Sequence, residues 1–209
     1  MHDFSQKELS EYFSLPVCKN GFESKSYYMA ALIDARKITG REWRNGRKKK
    51  LLRPRSGSWA GALTYMVLID HIGTIFSKNG VSDKPEFKKA LQLFTNLSME
   101  EIDILYKLRC SFAHNYSLFE DTSKCGIVYR FTVTVRGDLI QVRKRSYNLI
   151  HSVVNLEKLG NLVESIHKDI VDKIMKGEIS LYESSTDKDI YIKEKIIERY
   201  LKIRISYSV

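Results

Sequence analysis

The sequence predicts a mainly α fold: a helical bundle with an inserted β-hairpin near residues 126–144. Three observations predict it. Apolar residues recur at the helical period along most of the chain. The stretch Trp59–Phe76 is apolar on nearly every side, which marks the central helix of a bundle. The period then switches to two at Gly126–Val135 (GIVYRFTVTV), a stretch rich in β-branched residues.

The elements follow in order. A first helix is expected over Glu23–Ile38, with Tyr27, Ala30, Ala31 and Ile38 near one another on its apolar side. A basic loop over about residues 39–57 separates it from the central helix, Ser58–Ser77, which Asn79-Gly80 ends. A short helix, Lys84–Phe94, opens with Ser82 or Asp83 as cap and Pro85 in its first turn. Ser98-Met-Glu-Glu101 matches a capping box and starts the next helix. After it, Arg136-Gly137-Asp138 turns Gly126–Val135 back into Leu139–Lys144 as a hairpin. Two helices close the chain, near Leu156–Met175 and Asp187–Lys202. The second forms a C-terminal extension (187–203), with Ile190, Ile197, Tyr200 and Leu201 spaced to pack on its own bundle or on a second subunit.

With 209 residues the chain supports one substantial core, so residues 1–209 are read as a single domain. The start MHDFSQKELSEYF lacks the basic-then-apolar layout of a secretory signal. Asp70 and His71 interrupt the most apolar run, which therefore reads as a buried helix rather than a membrane span. Cys18, Cys110 and Cys125 lie far apart without metal-ligand spacing. They point to free thiols in a reducing cytoplasm, with no metal and no cofactor expected.

The formal charge of +10 is concentrated. Ten lysines and arginines lie between Arg36 and Arg55, and Glu42 is the only acid among them. From this loop Arg41, Arg44, Arg47, Lys48, Lys49, Lys50, Arg53 and Arg55 are candidate contacts to RNA phosphates, and Trp43 is a candidate stacking platform for an unpaired base. A solvated loop and a nuclear-import signal are the other readings of the same charge run.

The chemistry is densest in Leu105–Phe119, LYKLRCSFAHNYSLF. Ile102, Leu105, Leu108 and Phe112 share one helical face, and Arg109 falls within that stripe. A guanidinium stays charged, so Arg109 must face a cleft, a buried acid or an anionic ligand. His114 follows five residues on and titrates near neutrality when unperturbed. An anion clamp beside a proton shuttle is what phosphodiester cleavage requires. Asp70 shares a face of the central helix with Trp59, Leu63 and Met66. Its partner is Arg109, a nearby backbone donor or solvent. Of the other histidines, His71 on the central helix is the one placed to come near.

The Arg109-x4-His114-x-Tyr116 pattern, near the end of an apolar helix and with Ala113 before the histidine, resembles the signature of the HEPN superfamily (nucleotide-binding domains of higher eukaryotes and prokaryotes). The resemblance implies a HEPN-like helical bundle and, for many members, a metal-independent endoribonuclease of a toxin–antitoxin, antiviral or RNA-processing system. It implies Arg109, His114 and Tyr116 as catalytic residues; Asp70, from its face of the central helix, and Cys110, Ser111 and Asn115, from within the motif, are supporting candidates. It further implies RNA as partner and a homodimer facing two motifs across one cleft. In some members a partner nucleotidyltransferase adenylylates the tyrosine at the Tyr116 position. Cys110 departs from the pattern, because family ribonucleases usually carry Asn, Asp or His directly after the arginine. The alternative is a non-catalytic module that binds RNA or a nucleotide, or an interaction subunit.

Overall fold

The computed structural model describes residues 6–14, 17–19, 22–24, 26–41, 43–44, 47–48, 58–76, 85–122, 126–179 and 204–205. Among them are six helices: α1 (Gln6–Phe13), α2 (Tyr27–Ile38), α3 (Trp59–Phe76), α4 (Glu86–Phe94), α5 (Met99–Asn115) and α6 (Leu156–Met175). The strands are β1 (Val17–Lys19), β2 (Phe22–Ser24), β3 (Trp43–Arg44), β4 (Arg47–Lys48), β5 (Phe119–Thr122), β6 (Ile127–Thr134), β7 (Ile140–Ser146), β8 (Leu149–Asn155) and β9 (Arg204–Ile205).

The uniformly apolar surface of α3 explains its place. Tyr65, Met66, Ile69, Ile72 and Ile75 are fully or almost fully buried, and α2, α4, α5 and α6 all pack against it. It is long and apolar enough to cross a membrane, yet 56% of it is buried inside the protein. Gly73 lets α4 approach closely. A Cβ there would lie 2.0 Å from the Glu86 carbonyl oxygen, a backbone atom that cannot swing aside.

Local capping sets where the helices begin. Ser98 and Glu101 form the full capping box expected for α5: the Glu101 carboxylate accepts from Ser98 N at 2.8 Å, and Ser98 Oγ accepts from Glu101 N. In α2 the cap is Ser26, whose Oγ accepts from Met29 N and donates to the Tyr12 carbonyl. The first helix therefore starts at Tyr27 rather than Glu23, and Phe22–Ser24 belong to a strand paired with β1 and β9. Pro85 occupies the cap of α4 rather than its first turn. Asn79-Gly80, Ser82, Asp83 and the expected helix Asp187–Lys202 lie outside the described residues.

The expected hairpin is corrected. β6 and β7 are not neighbours, because β8 lies between them in the order β5-β6-β8-β7, parallel to β6 and antiparallel to β7. Side-chain chemistry accounts for this order. β8 presents Ile150, Ser152 and Val154 inward, and the last two are fully buried, as suits an interior strand. β7, IQVRKRS, is exposed over nearly its whole length and occupies the edge, where charge is tolerated and discourages edge-to-edge pairing. The predicted turn at Gly137 (φ 83) exists, but the connection spans the width of a strand. Asn155 braces it by donating from Nδ2 to Gly137 O at 2.9 Å, and its Oδ1 caps α6.

Two arginines of the charge run turn inward. Arg36 holds Glu164 with two bonds of 2.8 and 2.6 Å, and the Tyr65 hydroxyl donates to the same carboxylate. Arg41 is 5% exposed, donates to the Glu157 carbonyl and lies over the Tyr65 ring. Its guanidinium fits because residue 160 is glycine, where a Cβ would come within 2.6 Å of it.

Candidate functional site

α3 and α5 pack against each other, and the seam between them carries the motif. Where Asp70 meets Arg109, the guanidinium Nε donates to Oδ2 at 2.8 Å. One end further, Trp59 stacks on Phe112 with ring centroids 5.1 Å apart and leans on Tyr116 at 5.6 Å. Of the partners open to Asp70 in the sequence, the arginine is the one it takes.

The ion pair sits at the rim of the seam, with side chains 27% (Arg109) and 24% (Asp70) exposed. Partial burial raises the Asp70 carboxyl above the usual carboxylate range, and the bond to Arg109 only partly offsets this. Burial works against the Arg109 charge too, but Asp70 outweighs it and holds the guanidinium more firmly protonated than usual. Only Nε is engaged by the carboxylate. Among the described residues no other oxygen acceptor binds Arg109, and the Cys110 thiol beside it is a further side-chain partner of the guanidinium.

The other motif residues separate by role. Cys110 is buried as a free thiol. Burial and this thiol beside it push the Tyr106 hydroxyl up to about 12. Ser111 is corrected as a supporting candidate: it is fully buried, and its hydroxyl lies 2.6 Å from the Ser117 carbonyl and 3.1 Å from that of Phe119. It fastens the chain leaving α5. His114 is exposed in the last turn, without a hydrogen-bonding partner among the described residues.

α5 runs unbroken through Asn115 and ends at Tyr116, whose φ of 46° and ψ of 44° are left-handed, unusual for a bulky side chain and sometimes retained at functional sites. The Tyr116 ring is 57% exposed. On this unbroken helix Arg109 and His114 point about 140° apart. A single chain therefore presents the two groups on different faces.

His71 makes its ring contacts in the core rather than at this seam. It stacks with Tyr12 and Tyr28 in the core, and burial lowers its pKa to about 4. Of the basic loop, Arg41 is corrected from a surface contact to a buried strut. Trp43–Arg44 pair with Arg47–Lys48 as a short antiparallel hairpin. Lys49, Lys50, Arg53 and Arg55 lie outside the described residues. Among the described residues no three His, Cys, Asp or Glu side chains group as a metal site.

Sequence reading gave Trp59 only as a face-mate of Asp70, whereas it forms the aromatic end of the motif seam. Its spacing of eleven residues from Asp70 returns to the same helical face, which is the signal that was there to read. No family model matches this chain, and no curated protein and no solved structure matches it either.

Proposed function

We propose that this chain is a cytoplasmic, metal-independent endoribonuclease of HEPN type, acting as a homodimer in a toxin or defence system. The observation that supports the reading is the Arg109–Asp70 pair: an arginine at the rim of the seam, held by one carboxylate through Nε. An arginine held in this way is already oriented to grip two phosphate oxygens at once.

In the reaction a ribose 2′-oxygen forms a bond to its neighbouring phosphorus, and the bond from phosphorus to the 5′-oxygen breaks. Arg109 stabilises the extra negative charge in the transition state. His114 takes the proton from the 2′-hydroxyl or supplies one to the departing 5′-oxygen. The products are a 2′,3′-cyclic phosphate and a 5′-hydroxyl end. Because Arg109 and His114 diverge within one chain, the cleft is completed across a two-fold axis, where Arg109 meets the partner subunit's His114. Val67, 50% exposed on α3 one turn before Asp70, and the exposed Tyr116 ring supply apolar surface for that contact.

The divergence of Arg109 and His114 also favours a second reading, a non-catalytic module that binds RNA or a nucleotide. Incubating the purified protein with RNA in excess EDTA separates the two. Cleavage leaving cyclic phosphate ends supports the ribonuclease; binding without cleavage supports the module.

A further inference from the structure

The four-stranded sheet buries one face and leaves the other open. Phe131, Ser152 and Val154 are buried inward, and Tyr129, Val133 and Ile140 pack on the same side. Strand alternation therefore puts their neighbours outside. Register aligns Phe119, Arg130, His151 and Lys144 in one row across β5, β6, β8 and β7. An extra residue, Arg143, bulges from β7 beside Lys144 and is exposed. None of Arg130, Arg143 and Lys144 has a carboxylate partner among the described residues, whereas Arg145 is tied to Glu100 and Asp138 to Lys158. Asp121 shares the face, two positions beyond Phe119.

Beside this row lies a depression of about 540 Å³, lined by Leu118, Phe119, Arg130, Phe131 and Leu149. The Phe119 ring at its edge is 50% exposed. Edge-strand protection accounts for Arg143 and Lys144 on β7. It does not account for Arg130 on the interior strand β6, nor for a half-exposed aromatic ring next to it. Free cations in line with an exposed ring on an open sheet face, beside a depression lined by both apolar side chains and Arg130, match the chemistry of a nucleic acid strand with unstacked bases.

We infer that the outer face of this sheet binds single-stranded RNA, with one unstacked base against Phe119 in the depression and neighbouring phosphates on Arg130 and Lys144. The surface is close to the motif. Phe119 is five residues from His114, so the two lie within about 18 Å however the chain runs. This inference rests on the ribonuclease reading only in taking the bound strand to be the substrate.

The test uses the full chain and a fluorescein-labelled 2′-O-methyl oligouridylate, which lacks the nucleophile for cleavage, read by anisotropy over a salt series. Arg130→Gln/Lys144→Gln is expected to weaken binding about ten-fold or more and to reduce the salt slope by about 1.4, as two lost phosphate contacts on a single strand require. Phe119→Leu keeps an apolar filling but loses the stack, and is expected to weaken binding about ten-fold, while Phe119→Tyr retains it. Lys168→Ala, exposed on α6, serves as the charge control. Unchanged affinity in the double variant, an equal loss in Lys168→Ala, or polyglutamate binding as tightly as the oligonucleotide and unaffected by Phe119→Leu would each overturn the inference. The last outcome would assign the face to an acidic protein segment. Specific binding of the oligonucleotide with no cleavage of unmodified RNA would remove the ribonuclease reading and leave this surface standing.

Discussion

Arg109 Nε sits 2.8 Å from Asp70 Oδ2, joining the fourth turn of α3 to the penultimate turn of α5 at the edge of solvent. The carboxylate engages Nε alone among the guanidinium nitrogens. Asp70 is in this view a positioning residue. Asp70→Asn is expected to lower single-turnover cleavage about ten-fold while RNA affinity holds or rises, since one negative charge leaves the cleft. Loss of affinity in parallel with rate would contradict that role.

Arg109→Lys keeps the charge and loses the planar fork. Cleavage is expected to fall by about 10²-fold, the scale for losing one oriented charge stabiliser, with RNA affinity changing little. A lower Tm with unchanged turnover per folded molecule would make Arg109 a strut for Asp70. Calorimetry and single-turnover kinetics on one sample distinguish the two.

The charge run divides into two behaviours. Arg41→Ala is expected to destabilise the fold by about 2–3 kcal/mol, because it removes a buried side-chain hydrogen bond to the Glu157 carbonyl and opens a cavity beside Gly160. RNA affinity per folded molecule should stay the same. Replacing Lys48, Lys49 and Lys50 with alanine should do the reverse, weakening binding and flattening its salt dependence. Urea melts and salt-series titrations of both variants check this.

Acid should unfold the protein through its core histidines. Burial holds both His71 and His167 neutral, with pKa values lowered to about 4. Once unfolded, each takes up a proton near pH 6.5, so stability is complete above that pH and is lost as pH falls from about 6.5 toward 4. Two such groups imply a loss of about 3 kcal/mol between pH 6.5 and 5. Urea midpoints across that range should show the decline, and His71→Gln should remove about half of it. A flat profile would show that neither ring is held neutral.

Much of the bundle was legible because its signals are local. Uniform apolarity announced α3, the capping box fixed the start of α5, and Leu156–Met175 has the bounds read from its period. The Asp70–Arg109 pair was among the expected partnerships because each charge lay within an apolar stripe. What escaped depends on distant contacts. β8 enters between β6 and β7 with Ser152 and Val154 fully buried, and nothing in the β6–β7 sequence encodes that order. α1 was not expected, since an eight-residue helix gains its stability by docking Leu9, Tyr12 and Phe13 into the core. Arg36 and Arg41 read like the rest of their charge run, and only Glu164 and Gly160, more than a hundred residues away, draw them inward.

The most direct test of a shared cleft mixes two inactive proteins. Arg109→Ala and His114→Ala are each expected to fold and to lose cleavage, as the two residues project from the rim and the end of α5. If Arg109 works with the partner subunit's His114, each mixed dimer regains one intact site. Equal mixing should then restore about a quarter of wild-type cleavage, since half of randomly assorted dimers are mixed and each has one of two sites. Restored cleavage with cyclic phosphate ends is the expected result. No recovery, with mixed dimers shown to form by native mass spectrometry, would contradict a site built from Arg109 and His114 across the two-fold axis.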